Sequence, residues 1–258
     1  MPLALAFVGY GEVGQLFARQ LTARGAQVAV HDVEALGAVA AQDGVRFAPA
    51  VADAVEGAEI VISAVTADQA EPAARAAAPH LRAGQIYVDL NSVSPNTKRA
   101  VARSLAGVDF VEFAVMAPVA GLGIAAPVLA GGARAAEIAA RLNPLGMNID
   151  VISSEIGVAS STKLCRSLVI KGLEAIMIDL ARAAPRAGVS EGVLASLAAS
   201  YPGMPWADIM ACMPPRVARH GKRRAAEMRE AATMLEELGL SGAFARAIAD
   251  AHESYAGS

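Results

Sequence analysis

The sequence predicts an α/β fold, a doubly wound and mostly parallel sheet followed by an all-α C-terminal domain. Three observations predict it. An apolar run, Leu3 to Val8, leads straight into Gly9-Tyr10-Gly11-Glu12-Val13-Gly14. Short apolar runs then alternate with alanine-rich helical stretches as far as Ser154. Beyond that point only helical patterns remain, so the expected domains are residues 1–155 and 156–258.

The first elements carry the strongest signal. After the glycines, Val13, Leu16, Phe17 and Leu21 lie on one helical stripe; Gly25, a second apolar run from Gln27 to Val30, and Asp32 follow. Strand, glycine turn, helix, strand and acid together make the dinucleotide-binding βαβ unit of a Rossmann-type sheet. Gly9 permits the tight turn, Gly11 lets backbone approach a pyrophosphate, and Gly14 lets the helix pack on the strands. Tyr10, Glu12 and Val13 complete this cofactor turn. The helix N-terminus offers unpaired N–H groups to the phosphates. Asp32 stands where a carboxylate accepts ribose hydroxyls and repels a 2′-phosphate, which favours NAD, with NADP the alternative. His31 and Glu34 flank it, and no arginine follows. The competing reading is that Asp32 only caps strand and loop.

Further strands are expected near Val45–Phe47, Ile60–Val65, Ile86–Leu90, Phe110–Val115, Val128–Ala130 and Ile149–Ile152. Helices at Ala70–Ala78 and Pro95–Leu105 lie between them. The last strands have shorter connections, which suits antiparallel pairing. The second half reads as helices at Ser160–Ala184, Ser190–Ala199, Trp206–Met213, Pro215–Leu238 and Ser241–His252, with Pro202, Pro205, Pro214 and Gly239 as breaks. Its Ala, Leu and Met content suits surface buried in a homodimer.

Composition narrows the function. A net charge of −3 gives no reason to expect nucleic acid. The two cysteines, Cys165 and Cys212, form no metal or redox spacing and point to a reducing compartment, and the four histidines are scattered. Leu168 to Ala184 is the longest apolar stretch, but it contains Lys171, Glu174, Asp179 and Arg182, which argues against a membrane span. The apolar N-terminus lacks a basic leader and runs into the glycine turn, so it reads as a core strand of a cytoplasmic protein. No G-x-x-x-x-G-K-[ST] is present, which removes the P-loop reading.

Ligands of such sheets bind beyond the carboxyl ends of the strands. Val65 ends one expected strand and Thr66 follows it, a place that suits the nicotinamide ribose. Ser92 follows another and suits a carboxylate contact. Ser94 is the expected cap of the next helix, with Pro95 in its first turn. Met116 opens a loop, Met116 to Gly121, whose backbone suits a substrate pocket. The sharpest catalytic candidate is Lys163, with Arg166 and Ser167 three and four residues on and Lys171 and Glu174 continuing that side. Polar groups on a helix so apolar cost free energy unless paired or used; a solvated stripe is the competing reading. Arg216, Arg219, His220, Lys222, Arg223 and Arg224, followed by Glu227, form a basic helix. That is a solvated face by default, or an anchor for a substrate carboxylate or phosphate through His220 and Arg223.

These residues together resemble the β-hydroxyacid dehydrogenase family, which includes 6-phosphogluconate and 3-hydroxyisobutyrate dehydrogenases, over nearly the whole chain. Gly9 to Gly14 looks like the family's cofactor turn. Asp89 to Pro95 is similar to its D-x-S-T-x-x-P substrate segment, and Ala114 to Gly123 to its A-P-V-S-G-G loop. Gly157 to Lys163 is similar to its G-x-G-x-x-x-K motif, with Ala159 in place of the second glycine. Val115-Met116 replaces the polar part of the second motif, and the helical domain is short, as in a divergent subgroup. The resemblance implies NAD(P)-dependent hydride transfer to or from a small, anionic hydroxy acid, in a homodimer. Lys163 would be the general base in oxidation and the general acid in reduction. That role requires a lysine near neutrality, which burial and Arg166 would favour, with Arg166 also holding a substrate carboxylate. An imine or ketone reductase, and a non-catalytic dinucleotide-binding protein, are the alternatives on the same scaffold.

Overall fold

The computed structural model describes residues 2–105 and 107–257. The chain runs β1 (Ala4–Val8), α1 (Glu12–Ala23), β2 (Gln27–His31), α2 (Gly37–Gln42), β3 (Arg46–Phe47), α3 (Val51–Val55), β4 (Ile60–Ser63), α4 (Ala70–Ala77), β5 (Ile86–Asp89), α5 (Pro95–Ser104), β6 (Asp109–Val115), α6 (Val119–Leu122), β7 (Pro127–Gly131), α7 (Ala135–Leu142) and β8 (Asn148–Ser153). Four helices follow: α8 (Val158–Ala187), α9 (Ser190–Ser200), α10 (Trp206–Glu237) and α11 (Ala243–Tyr255).

The strands form one sheet in the order β3-β2-β1-β4-β5-β6-β7-β8. All neighbours from β3 to β6 pair in parallel. β7 runs antiparallel to β6, and β8 pairs in parallel with β7. The chain order reverses at β1, which has β2 on one side and β4 on the other. That is the switch point where the carboxyl ends of strands part and leave a crevice.

Alternation along each strand builds a core on both faces. Leu5 and Phe7 of β1 pack with Phe17 and Leu21 of α1, and Ala6 and Val8 pack on the other face with Ala70, Ala74 and Ala77 of α4. Those alanines recur at four and three residues, so α4 presents a smooth face to Val61 and Tyr87. β4 and β5 are buried throughout, as central parallel strands with both faces covered should be. Val65, expected as the end of a strand, lies beyond β4.

The chain divides into two compact units, Met1–Lys163 and Leu164–Ser258, with the division inside α8. In the second unit α10 and α11 pack closely. Met228, Ala231 and Ala232 meet Ala245, Ile248 and Ala249. Gly221 makes this possible, because a Cβ there would run into the carbonyl of His252 and lie 2.9 Å from Cβ of Ala256. The expected break at Pro214 does not occur, and α10 continues through Pro214 and Pro215. Met213, Pro214 and Val217 are buried there, so packing outweighs the hydrogen bonds that the two prolines remove. Among the described residues, no helix is long and apolar enough to cross a membrane.

Candidate functional site

The glycine turn divides its three glycines between two tasks. Gly9 has φ +98°, and a Cβ on it would run into the carbonyl of Ala64 and lie 2.7 Å from Cγ1 of Val65. A Cβ on Gly14 would run into the carbonyl of Gly9. Those two glycines are dictated by packing. Gly11 is not, since its φ is −75° and nothing lies within 4 Å of where its Cβ would stand. No side chain caps α1, and the first bond of the helix is Gln15 N–H to Gly11 carbonyl at 2.8 Å. Open space over Gly11 and uncapped amides in the first turn of α1 fit a pyrophosphate.

Tyr10, expected in the cofactor turn, has its side chain inside the protein. The ring is fully buried, and its hydroxyl donates to Oδ2 of Asp43 at 2.7 Å. Burial and the Asp43 carboxylate push the phenol above its ordinary range. Its N–H donates to Oδ2 of Asp32 at 2.6 Å, and its carbonyl accepts from Nε2 of Gln15 at 2.8 Å. Every polar group of Tyr10 is thus spent on holding the turn. Asp32 also accepts the Glu34 N–H at 3.0 Å. It caps the loop, as the competing reading had it, and each oxygen keeps a second lone pair for a ligand. Glu12 is exposed, and Val13 packs at the edge of the core.

At the carboxyl ends of β4 and β5 lies a network the sequence did not reveal. Lys98 of α5 is fully buried. Its ammonium donates to the Asp89 carbonyl at 2.9 Å, Oδ1 of Asp89 at 3.1 Å and the Asn91 carbonyl at 2.7 Å. The Asn91 side chain then crosses to β4: its Oδ1 accepts the Val65 N–H at 2.7 Å and its Nδ2 donates to Oγ of Ser63 at 3.0 Å. Ser94 caps α5 through Thr97 N–H, as expected. Oγ of Ser92 is buried and has no hydrogen-bond partner among the described residues. Thr66 is exposed, and Met116 is half-buried with its N–H on the Pro127 carbonyl at 2.8 Å.

The helix that carries Lys163 starts at the same level of the sheet. Glu112 of β6 stands opposite Asp89 in the β5–β6 ladder and is fully buried. Its Oε1 accepts the N–H of Gly157 at 2.7 Å and of Ala159 at 2.9 Å, and Oε2 lies 3.4 Å from Ser160 N. A buried carboxylate thereby satisfies the orphan donors of α8 and meets its positive end. A Cβ on Gly157, at φ +106°, would stand 3.2 Å from Cβ of Pro95, so the start of α8 abuts the start of α5. Lys163 is half-buried in the second turn of α8. The lone acid in the apolar run Phe110 to Val115 was the available signal for Glu112. Lys98 gave none, because a lysine in a polar helix reads as solvated.

In the second unit the polar stripe of α8 is paired internally. Nζ of Lys171 donates to Oγ of Ser167 at 3.1 Å and lies 3.1 Å from Oε2 of Glu227, and Oγ of Ser167 donates to Oε1 of Glu227 at 3.1 Å. Ser167 and Lys171, expected as substrate contacts, are joined through these bonds to Glu227 of α10. Glu174, fully buried, pairs with Arg224 at 2.8 Å. Burial raises the Glu174 carboxyl and lowers the Arg224 guanidinium relative to their ordinary values. Buried His252 donates from Nε2 to the Lys171 carbonyl at 3.0 Å. Arg166, His220 and Arg223 are exposed.

This layout has known counterparts. The family described as the NAD binding domain of 6-phosphogluconate dehydrogenase matches residues 4–153. The chain belongs to that family. A domain of unknown function (DUF1932) matches residues 184–255. A conserved hypothetical protein from Sinorhizobium meliloti 1021 is similar at 39% identity, over 98% of this chain and 88% of that one, with a TM-score of 0.84. The 3-hydroxyisobutyrate dehydrogenase of Mycobacterium tuberculosis, solved with L-serine, shares the fold at 20% identity over 99% of this chain and 94% of its own, TM-score 0.83. An imine reductase variant from Myxococcus stipitatus, solved with NAD+, shares it at 21% identity over 98% and 94%, TM-score 0.66. Residues 4–153 are therefore an NAD-binding domain, and the chain shares its fold with a 3-hydroxyisobutyrate dehydrogenase and an imine reductase.

Proposed function

We propose that the protein is an NAD(P)-dependent oxidoreductase acting on the carbinol carbon of a small, anionic hydroxy acid, with Lys163 as general acid/base. The bound nicotinamide accepts or delivers the hydride. Gly9, Gly11, Gly14 and the first turn of α1 hold the pyrophosphate, and Asp32 takes the ribose hydroxyls, which favours NAD. The observation that carries the reading is the packing of the α8 start against Pro95. It brings the helix of Lys163 to the strand-tip segment that holds Ser92, whose hydroxyl has no partner among the described residues. Lys163 takes the hydroxyl proton in oxidation and returns it in reduction. Ser92 and Met116 are the substrate contacts of the first unit. The exposed guanidiniums of Arg166 and Arg223 suit a negatively charged substrate, with His220 as a further polar contact.

The test is turnover with NAD+ or NADP+ across a panel of hydroxy acids, for the native chain and for Lys163→Met. A loss in kcat of about 10²–10⁴ with NADH affinity retained supports the role. Undiminished turnover in the variant removes Lys163 from the chemistry. The second reading, an imine or ketone reductase, is favoured by the fold shared with imine reductases. NADH- or NADPH-dependent reduction of cyclic imines, with no hydroxy acid oxidised, would establish it instead.

A further inference from the structure

The buried cluster Lys98–Asp89–Asn91 is unexplained by folding energetics. Lys98 and Asp89 are both fully buried and 3.1 Å apart, and Oδ2 of Asp89 has no partner among the described residues. Removing two charges from water costs several kcal/mol each, and an apolar pair of the same size often serves stability as well or better. What an apolar pair cannot do is fix main-chain groups in register. The ammonium here gathers two carbonyls and one carboxylate oxygen at the end of β5. Asn91, its main-chain N–H also held by Oδ1 of Asp89 at 2.7 Å, carries that order across to the Val65 N–H beyond β4.

The position of this clamp matters because of the switch point. The acid that takes the adenosine ribose, Asp32, follows β2 on one side of β1. A dinucleotide laid across the crevice therefore puts its other half over the ends of β4 and β5. Those ends are the segments Ala64–Thr66 and Leu90–Ser92.

We propose that Lys98 and Asn91 are positioning residues for the nicotinamide half of the cofactor: they lock the tips of β4 and β5 in the spacing that this half requires. The inference rests on the cofactor reading above. It assigns no contact with cofactor to either side chain, since all the polar contacts described for them are internal.

The test compares two ligands on the full chain. ADP-ribose carries the adenosine and pyrophosphate half alone, and NADH carries both halves. Dissociation constants are measured for the native protein, for Asn91→Ala, and for Asp89→Leu/Lys98→Met, in which no single charge is left buried. Thermal unfolding checks the fold of each variant. The expected result is that NADH binding weakens by about tenfold while ADP-ribose binding stays within about twofold, so that the ratio of the two constants shifts against NADH by at least about fivefold. Equal weakening of both ligands would mean general loosening of the sheet and would overturn the proposal. So would unchanged binding of both, or failure of both variants to fold. Binding of neither ligand by the native protein would instead overturn the cofactor reading, and the proposal with it.

Discussion

Oε1 of Glu112 accepts the main-chain N–H of Ala159 at 2.9 Å, from the middle of a strand to the first turn of a helix 47 residues later. The same oxygen takes the N–H of Gly157. This single carboxylate holds the start of α8, and with it the place of Lys163 in the second turn of that helix. Glu112→Ala leaves those donors buried without an acceptor and is expected to cost roughly 3 kcal/mol. Glu112→Gln, which keeps an acceptor and loses the charge, should cost clearly less. Urea unfolding of the two variants measures the difference, and equal stability in all three proteins would show that the contact does not hold the helix.

The glycine turn makes an opposed pair of predictions. Gly11→Ala has room in the protein, so its unfolding midpoint should match that of the native chain while NADH binding falls at least about tenfold. Gly14→Ala drives a methyl into the Gly9 carbonyl and should cost about 1–3 kcal/mol of stability. Calorimetry and fluorescence titration separate the two. A Gly11→Ala protein that binds NADH normally would place the pyrophosphate elsewhere.

His252 predicts an acid-sensitive step in stability. Burial, above all, and the positive charges of Arg224 and Lys171 push its imidazole down to about 4, against an ordinary value of 6.5. The folded state then binds fewer protons than the unfolded state between those two values. Stability from this group is complete above pH 6.5 and is lost as pH falls towards 4. His252→Gln, which can still donate to the Lys171 carbonyl, should flatten that part of the profile. Denaturation midpoints at intervals between those pH values decide it, and an unchanged slope would clear His252 of the effect.

The Glu174–Arg224 pair predicts strong coupling. Glu174→Leu strips the largely covered guanidinium of Arg224 of its partner and should cost about 2–3 kcal/mol, whereas Glu174→Leu/Arg224→Met should recover most of that loss. Arg216, 3.8 Å from the same carboxylate and half-exposed, adds little. A double variant no better than the single would show that the pair is independent.

Local pattern was enough for much of this molecule. The run of strands and helices, the glycine turn, the acid at Asp32 and the cap at Ser94 are all set by residues close in sequence, whereas the start of α8 depends on Glu112. Periodicity, glycine conformation and capping act over a few residues, so these features are readable without a fold. Gly11 illustrates the limit of that information: its spacing marked the turn, but only the structure shows that packing leaves the space above it open.

What the tertiary structure alone decided is which polar groups are used up. Tyr10, Ser167 and Lys171 carried the same signal in sequence as ligand contacts, and the fold pairs each of them internally. Lys98 and Glu112 looked respectively like a solvated lysine and a lone acid, and the fold buries both where strand tips and a helix end need them. The architecture and the cofactor turn were legible beforehand, because they follow from local preference and apolar periodicity. The pairing of polar groups across 45 to 60 residues depends on which elements come to lie side by side, and burial makes that pairing obligatory only once they do.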